Sequence, residues 1–361
     1  MKKIFISLNT IRRDICLRAI LLVPLAFLGL AAGVCYAEKP ALSSPEQTGL
    51  REEEGTVFRT GITGAGRKWN AAFISYAVSP DGTRILFSAA NRNDDGFLLL
   101  NLKSGQVSQV PGEKGRRWFM PQWSRDGKQV LAISGSFQDR PHRQYEQRII
   151  LLNSADWSYR KLAIPVGRYN APSFSADGKL VFFIKGTVWQ PPESNRIHGL
   201  YSLYAYDLAS GKERQLINEE AYVMTAGYDD GQELFFSALW TKQPPSLRPN
   251  STKLLGIYAL NKESSSLRLL EVDQGEELLD PHLEGLDKSG NIYFTANMKG
   301  GNYIRTAYRC NAKGQNCARL TEEVYFFSNV EIAYQTGEVF VDDRLGNEIV
   351  FRRLSQSFVK Q

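Results

Sequence analysis

The stretch Ser79-Pro80-Asp81-Gly82-Thr83-Arg84-Ile85-Leu86-Phe87-Ser88 puts a tight-turn tetrad directly before an aliphatic and aromatic run. Asp-Gly between apolar runs is a strong hairpin signal, because Gly accepts positive φ and Asp tolerates the left-handed region. The run that follows has the composition of a strand. The pattern returns at Ser124-Arg125-Asp126-Gly127 before Lys128-Gln129-Val130-Leu131-Ala132-Ile133, and at Ser175-Ala176-Asp177-Gly178 before Lys179-Leu180-Val181-Phe182-Phe183. It then degrades through Tyr228-Asp229-Asp230-Gly231, Asp287-Lys288-Ser289-Gly290 and Gln335-Thr336-Gly337. The turn glycines 82, 127, 178, 231, 290 and 337 stand 45, 51, 53, 59 and 47 residues apart. That period is the size of a four-stranded propeller blade.

Each unit continues in the same way. A third strand follows, such as Leu98-Leu99-Leu100-Asn101-Leu102 or Tyr204-Ala205-Tyr206-Asp207-Leu208. A second turn, Lys103-Ser104-Gly105 or Ala209-Ser210-Gly211, leads to a fourth strand. The last unit lacks chain for its fourth strand after Glu348–Leu354, whereas Thr56-Val57-Phe58-Arg59 is a spare strand before the first. Pairing the two removes an open edge. The expected fold is all-β: a six-bladed β-propeller of four-stranded antiparallel blades, closed by an N-terminal strand and monomeric.

The turns, the aromatic-aliphatic strands after them, and Pro121-Gln122-Trp123-Ser124 and Pro172-Ser173-Phe174-Ser175 before two of them resemble the TolB-like propeller repeat. The resemblance spans essentially all the chain after its leader. It implies six blades and a role in periplasmic protein assemblies. TolB also carries an α/β domain before its propeller, which the segment Glu38 to Gly55 is too short to hold.

Lys2, Lys3, Arg12, Arg13 and Arg18 precede an uncharged apolar run, Ala19 to Ala32, which ends before Ala37-Glu38. This is the pattern of a secretory signal peptide, with cleavage expected after Ala37. The run is short of the roughly 20 residues that span a bilayer. An uncleaved anchor is the rival reading. The chain therefore divides into a leader over 1–37, a polar flexible tail over 38–55 and one propeller domain over 56–361, with no stable membrane span after cleavage. The formal charge is +6, of which five basic residues against Asp14 place +4 in the leader. The basic balance is no argument for nucleic acid. Periplasmic or secreted localisation follows. Two of the four cysteines, Cys310 and Cys317, lie outside the leader and flank a polar turn. Export favours a disulfide between them, worth about 2–3 kcal/mol for so short a loop. Two free thiols are the alternative.

No Gly-x-Ser-x-Gly elbow occurs, and Ser-x-Asp-Gly differs from the sialidase Asp-box in its spacing. His142, His198 and His282 fall in three different units, outside the apolar strands, and read as surface histidines. The pairs Asp94-Asp95, Asp229-Asp230 and Asp342-Asp343 read as solvated turn carboxylates. No catalytic residue, metal or cofactor is expected.

Strand alternation puts the Asp-Gly turns on one face and the blade links and 2–3 loops on the other. The long insertions, 135–147, 186–200 and 240–254, all fall on the second face. They bring Arg140 and Arg143; Trp189 and Arg196; Trp240 and Arg248. The links add Arg67, Trp69, Arg117, Trp118, Arg168 and Tyr169. Cations and flat aromatics on long loops suit an envelope or periplasmic protein, or an acidic peptide or glycan. The competing reading has the aromatics filling seams between blades. An enzyme, a lyase or hydrolase acting on polysaccharide, is the alternative to a binding module.

Overall fold

The computed structural model describes residues 55–63, 74–89, 95–135, 146–189, 198–217, 221–223, 225, 227–240, 255–272, 278–298, 304–321, 324–325, 329–345 and 348–354. The chain divides into two compact units, Met1–Ser44 and Pro45–Gln361, and every described residue lies in the second. The strands run as β1 (Gly55–Thr63); β2 (Ile74–Val78), β3 (Arg84–Ala89), β4 (Gly96–Asn101) and β5 (Val107–Pro111); β6 (Arg117–Trp123), β7 (Gln129–Gly135), β8 (Arg148–Asn153) and β9 (Tyr159–Lys161); β10 (Arg168–Phe174), β11 (Leu180–Trp189), β12 (His198–Asp207) and β13 (Glu213–Gln215); β14 (Ala221–Val223), β15 (Tyr228–Asp229), β16 (Glu233–Trp240), β17 (Leu255–Asn261) and β18 (Leu267–Leu269); β19 (Leu278–Leu286), β20 (Ile292–Met298), β21 (Ile304–Cys310), β22 (Ala318–Arg319) and β23 (Val324–Tyr325); and β24 (Val330–Ile332), β25 (Val339–Leu345) and β26 (Glu348–Leu354). Among the described residues there is no helix.

After β1, the six groups are antiparallel meanders. In the fourth, β14 and β15 both pair with β16 and share the place of a first strand. Single parallel bridges, Gly96 to Arg117 and Tyr201 to Tyr222, join neighbouring meanders into larger sheets. β1 pairs antiparallel with β26, Val57 opposite Arg352 and Phe58 opposite Phe351, so the first and last strands share a sheet with β24 and β25.

The repeated turn has a specific chemistry. The Ser79 hydroxyl lies 2.6 Å from the Asp81 carboxylate and accepts the Arg84 N–H at 2.9 Å. Asp81 also accepts the Thr83 N–H at 3.1 Å. Ser124 with Asp126, and Ser175 with Asp177, repeat this bonding. Gly82, Gly127 and Gly178 sit at φ of 69°, 70° and 71°, where a Cβ is strained. The third strands end in a matching device: the side-chain oxygens of Asn101, Asn153, Asp207, Asn261 and Asn311 accept N–H groups two residues on.

The second strands carry continuous apolar runs because both faces are buried. Leu86 faces one cluster, with Phe97, Trp118 and Val130, while Ile85 and Phe87 face another, with Phe340 and Phe351. Leu131 and Ile133 pack with Val181 and Phe183. Phe182 and Ile184 turn the other way, towards Leu234 and Phe236. Phe235 joins Phe294 and Tyr308, and Tyr293 joins Val330 and Val341. The core is thus a set of seams between neighbouring meanders, filled by the period-2 alternation of each strand. Burying one such Phe contributes about 1.5–3 kcal/mol.

Two sequence expectations change here. The insertion 186–200 is partly ladder, since β11 and β12 continue pairing out to Trp189 opposite His198. His198 and His282 lie within β12 and β19, not outside the strands.

Candidate functional site

The first strands of the meanders touch in sequence: β2 with β6, β6 with β10, β10 with β15, β15 with β19, β19 with β24, and β24 with β2. Bulges shape them. β6 shifts register between Phe119 and Gln122, and β10 between Asn170 and Ser173. In both, a non-glycine residue at positive φ precedes a proline: Met120 at 52° before Pro121, and Ala171 at 44° before Pro172. Pro has no ladder N–H to lose at a bulge. The Met120 N–H instead crosses to the Ser75 hydroxyl of β2, at 2.5 Å.

Where these strands end, a cavity of 60 Å³ lies among residues from every meander, including Pro80, Arg125, Phe174, Tyr228, Glu284 and Glu331. At about 15 Å³ per water it has room for roughly four waters. Arg125 is the x residue of a Ser-x-Asp-Gly turn. Its guanidinium donates to the Asp229 carbonyl and lies 4.4 Å from the ring centroid of Tyr334, while Gln335 Nε2 donates to the Arg125 carbonyl at 3.3 Å. Neighbouring turns are tied too, by Gln335 N–H to the Pro80 carbonyl and Lys288 N–H to the Tyr334 carbonyl, both 2.8 Å.

Asp229 is 2% exposed. Its carboxylate takes the Lys262 ammonium at 2.8 Å, the Ala176 N–H at 2.9 Å and the Gly231 N–H at 2.9 Å. Asp342 and Asp343 lie in β25, where Asp343 pairs with Arg352 at 2.9 Å. Asp229, Asp342 and Asp343 are therefore not solvated turn carboxylates, because strand pairing draws them inward against N–H groups and cations. Burial, with Glu284 and Asp342 nearby, holds the Glu331 carboxyl well above its ordinary range. Burial and the charges of Glu331 and Glu284 push the Tyr228 phenol up in the same way.

Of the residues expected to form a binding face, four have described side chains. Trp118 is fully buried, 4.9 Å edge-to-face from Tyr159 and 5.8 Å from Phe97. Tyr169 is 3% exposed, stands 5.5 Å from Phe183 and donates its hydroxyl to the Pro165 carbonyl. These two aromatics fill seams and offer no contact surface. Arg117 opens β6 and is half-buried; Arg168 opens β10 and stacks 5.0 Å from the Tyr201 ring centroid. Trp189 ends β11 and Trp240 ends β16. Arg67, Trp69, Arg140, Arg143, Arg196 and Arg248, and the side chains of Trp189 and Trp240, lie outside the described residues. The cavity lies at the other ends of the first strands from Arg117 and Arg168, so the sequence reading passed over Arg125, Tyr228, Glu284, Glu331 and Tyr334. The one local signal was Arg125, standing where the other two well-formed turns have Pro80 and Ala176.

Cys310 and Cys317 form a disulfide with Cα atoms 4.1 Å apart. Among the described residues no group of His, Cys, Asp and Glu is placed to hold a metal ion, and no helix is long and apolar enough to cross a membrane.

No family model matches the chain, and no curated protein matches it. Solved structures do. The putative TolB from Agrobacterium tumefaciens is 16% identical with a TM-score of 0.52, over 79% of this chain and 91% of that one. TolB from Acinetobacter baumannii is 13% identical with a TM-score of 0.45, and the match spans 79% of this chain but only 55% of that one. An oligogalacturonate lyase in complex with manganese is 11% identical with a TM-score of 0.49, over 79% and 78%. At these identities the first of them speaks to architecture alone, and with the antiparallel meanders it gives this chain the fold of a TolB-like β-propeller.

Proposed function

We propose that this chain is an exported, non-catalytic propeller of six blades over 56–361, closed by β1, that binds an envelope or periplasmic protein, or an acidic peptide or glycan. The contact sequence of first strands, returning from β24 to β2, and the β1–β26 pairing support the closed ring. Export rests on the leader over 1–37, and the disulfide is compatible with it. The binding surface is the face of the long insertions, with Arg140, Arg143, Arg196 and Arg248 as its cations and Arg117 and Arg168 beside them.

One observation carries the preference for surface recognition over turnover. The cavity among the first strands is 60 Å³, against about 300–1,000 Å³ for sites that enclose a small molecule. Pro80, Arg125 and Tyr334, from three of the turns, line it.

The test is capture from envelope extracts by the tagged protein and by an Arg140→Glu/Arg196→Glu/Arg248→Glu variant. One protein or anionic glycan should be enriched by the wild type and lost in the variant, with thermal stability unchanged. Capture should weaken as salt shortens the Debye length from about 10 Å to about 3 Å. Equal capture by both proteins overturns the assigned face. Depolymerisation of an anionic polysaccharide by the purified protein overturns the non-catalytic reading.

A further inference from the structure

Glu284 on β19 and Glu331 on β24 come from different meanders and line the same cavity. β19, β25, β2 and β15 supply the groups around Glu331. β19 supplies Glu284, whose Oε1 accepts the Thr295 hydroxyl at 2.6 Å. β25 supplies Asp342, whose Oδ1 accepts the Asn329 N–H at 2.6 Å. β2 supplies Tyr76, its hydroxyl 2.8 Å from the Asn329 carbonyl and 3.0 Å from that of Phe340. β15 supplies Tyr228 and Asp229. Among the described residues, Arg125 is held by the Asp229 carbonyl and the Tyr334 ring, and Lys262 by the Asp229 carboxylate. Both are engaged by groups other than Glu331, and among the described residues the Glu331 carboxyl takes no hydrogen bond.

We propose that this cavity is a pH-sensitive element of the propeller, in which the Glu331 carboxyl keeps its proton beside Glu284, and loss of that proton loosens the packing of β24 against β19 and β2. Two carboxylates lining one cavity among packed strands repel more strongly than they would in open solvent. A proton on one of them removes that repulsion. Burial, Glu284 and Asp342 all act on Glu331 in this direction. The sign follows from linkage. A carboxyl raised above its ordinary 4.5 binds its proton more tightly folded than unfolded. Its stabilisation is therefore complete below that ordinary value and is lost as pH rises through the folded one.

The test compares thermal midpoints of the wild type and Glu331→Gln from about pH 5 to about pH 9, the range above an ordinary carboxyl. The wild-type midpoint should fall with rising pH more steeply than that of the variant, and the variant should be the more stable protein at the alkaline end. Parallel curves overturn the proposal. If Glu331→Gln fails to fold, a ¹³C titration of the glutamate carboxyls in the wild type decides. A Glu still protonated near neutrality supports the pair, and all glutamates titrating in the ordinary range overturns it.

Discussion

The Arg125 guanidinium lies 4.4 Å from the Tyr334 ring centroid while donating to the carbonyl of Asp229, so one side chain ties three meanders that are not neighbours in sequence. Arg125 leaves the turn after β6, Asp229 ends β15, and Tyr334 follows β24. A partly desolvated cation–π contact contributes about 0.5–2 kcal/mol and a charged hydrogen bond about 1.5–3 kcal/mol, with overlap between them. Arg125→Met keeps the length and removes both. It should cost about 1–3 kcal/mol, read as a thermal midpoint several degrees lower. Arg125→Lys should recover part of the loss, because an ammonium can face the ring but lacks the planar fork.

Trp118 and Arg117 are neighbours in β6 with opposite fates. Trp118 is fully buried between Phe97 and Tyr159, whereas Arg117 is half-buried at the strand's first position. Trp118→Ala should cost about 3–5 kcal/mol in denaturant unfolding, from lost transfer energy and the cavity left behind. Arg117→Ala should cost about 1 kcal/mol or less. Similar costs for the two would show that Trp118 does not hold the seam.

The turn carboxylates predict an acid limb. The Ser175 hydroxyl and the Lys179 N–H hydrogen-bond the Asp177 carboxylate and hold it below its ordinary 3.8. A depressed carboxyl stabilises the fold above its unfolded value, and that contribution disappears as pH falls through the folded one. Asp177→Ala should therefore lower the thermal midpoint at neutral pH and converge on the wild type as acid protonates the folded carboxylate, below its ordinary 3.8. A gap that stays constant with pH would assign the turn's stability to backbone conformation alone.

The repeat was legible because its turns are set by local chemistry. Ser, Asp and Gly at fixed offsets satisfy one another within a tetrad, and the strands after them are apolar on both faces. Where those residues change, the geometry persists on other atoms: Asp287 accepts the Ser289 and Asn291 N–H groups in the place of a serine. The cavity was not legible for the opposite reason. Glu284 and Glu331 are 47 residues apart, and β19 changes register between Leu279 and His282 and again between Leu283 and Gly285. A simple alternation therefore misassigns which β19 side chains face inward. The aromatic links left two readings open because Trp118 and Tyr169 carry the same signature whether they face a partner or a seam. Burial alone separates the two.

The pairing of β1 with β26 offers a sharp test of the proposed closure. β1 covers the edge of β26, Phe58 stands 6.3 Å from Phe340, and Arg59 Nε donates to Glu348 at 2.9 Å. The Thr60 hydroxyl reaches the Ile349 carbonyl at 2.6 Å, and Gly61 N–H reaches Glu348 at 2.7 Å. Removing 55–63 exposes a strand edge together with the side of an apolar cluster, which invites pairing between chains. The truncated protein should unfold with a shallower denaturant slope and self-associate with rising concentration in size-exclusion chromatography. Glu348→Ala, which removes the Arg59 and Gly61 contacts but leaves the ladder, should lower stability while keeping the transition sharp and the protein monomeric. A truncated chain that stayed monomeric with an unchanged slope would mean that β1 lies against the sheet without closing it.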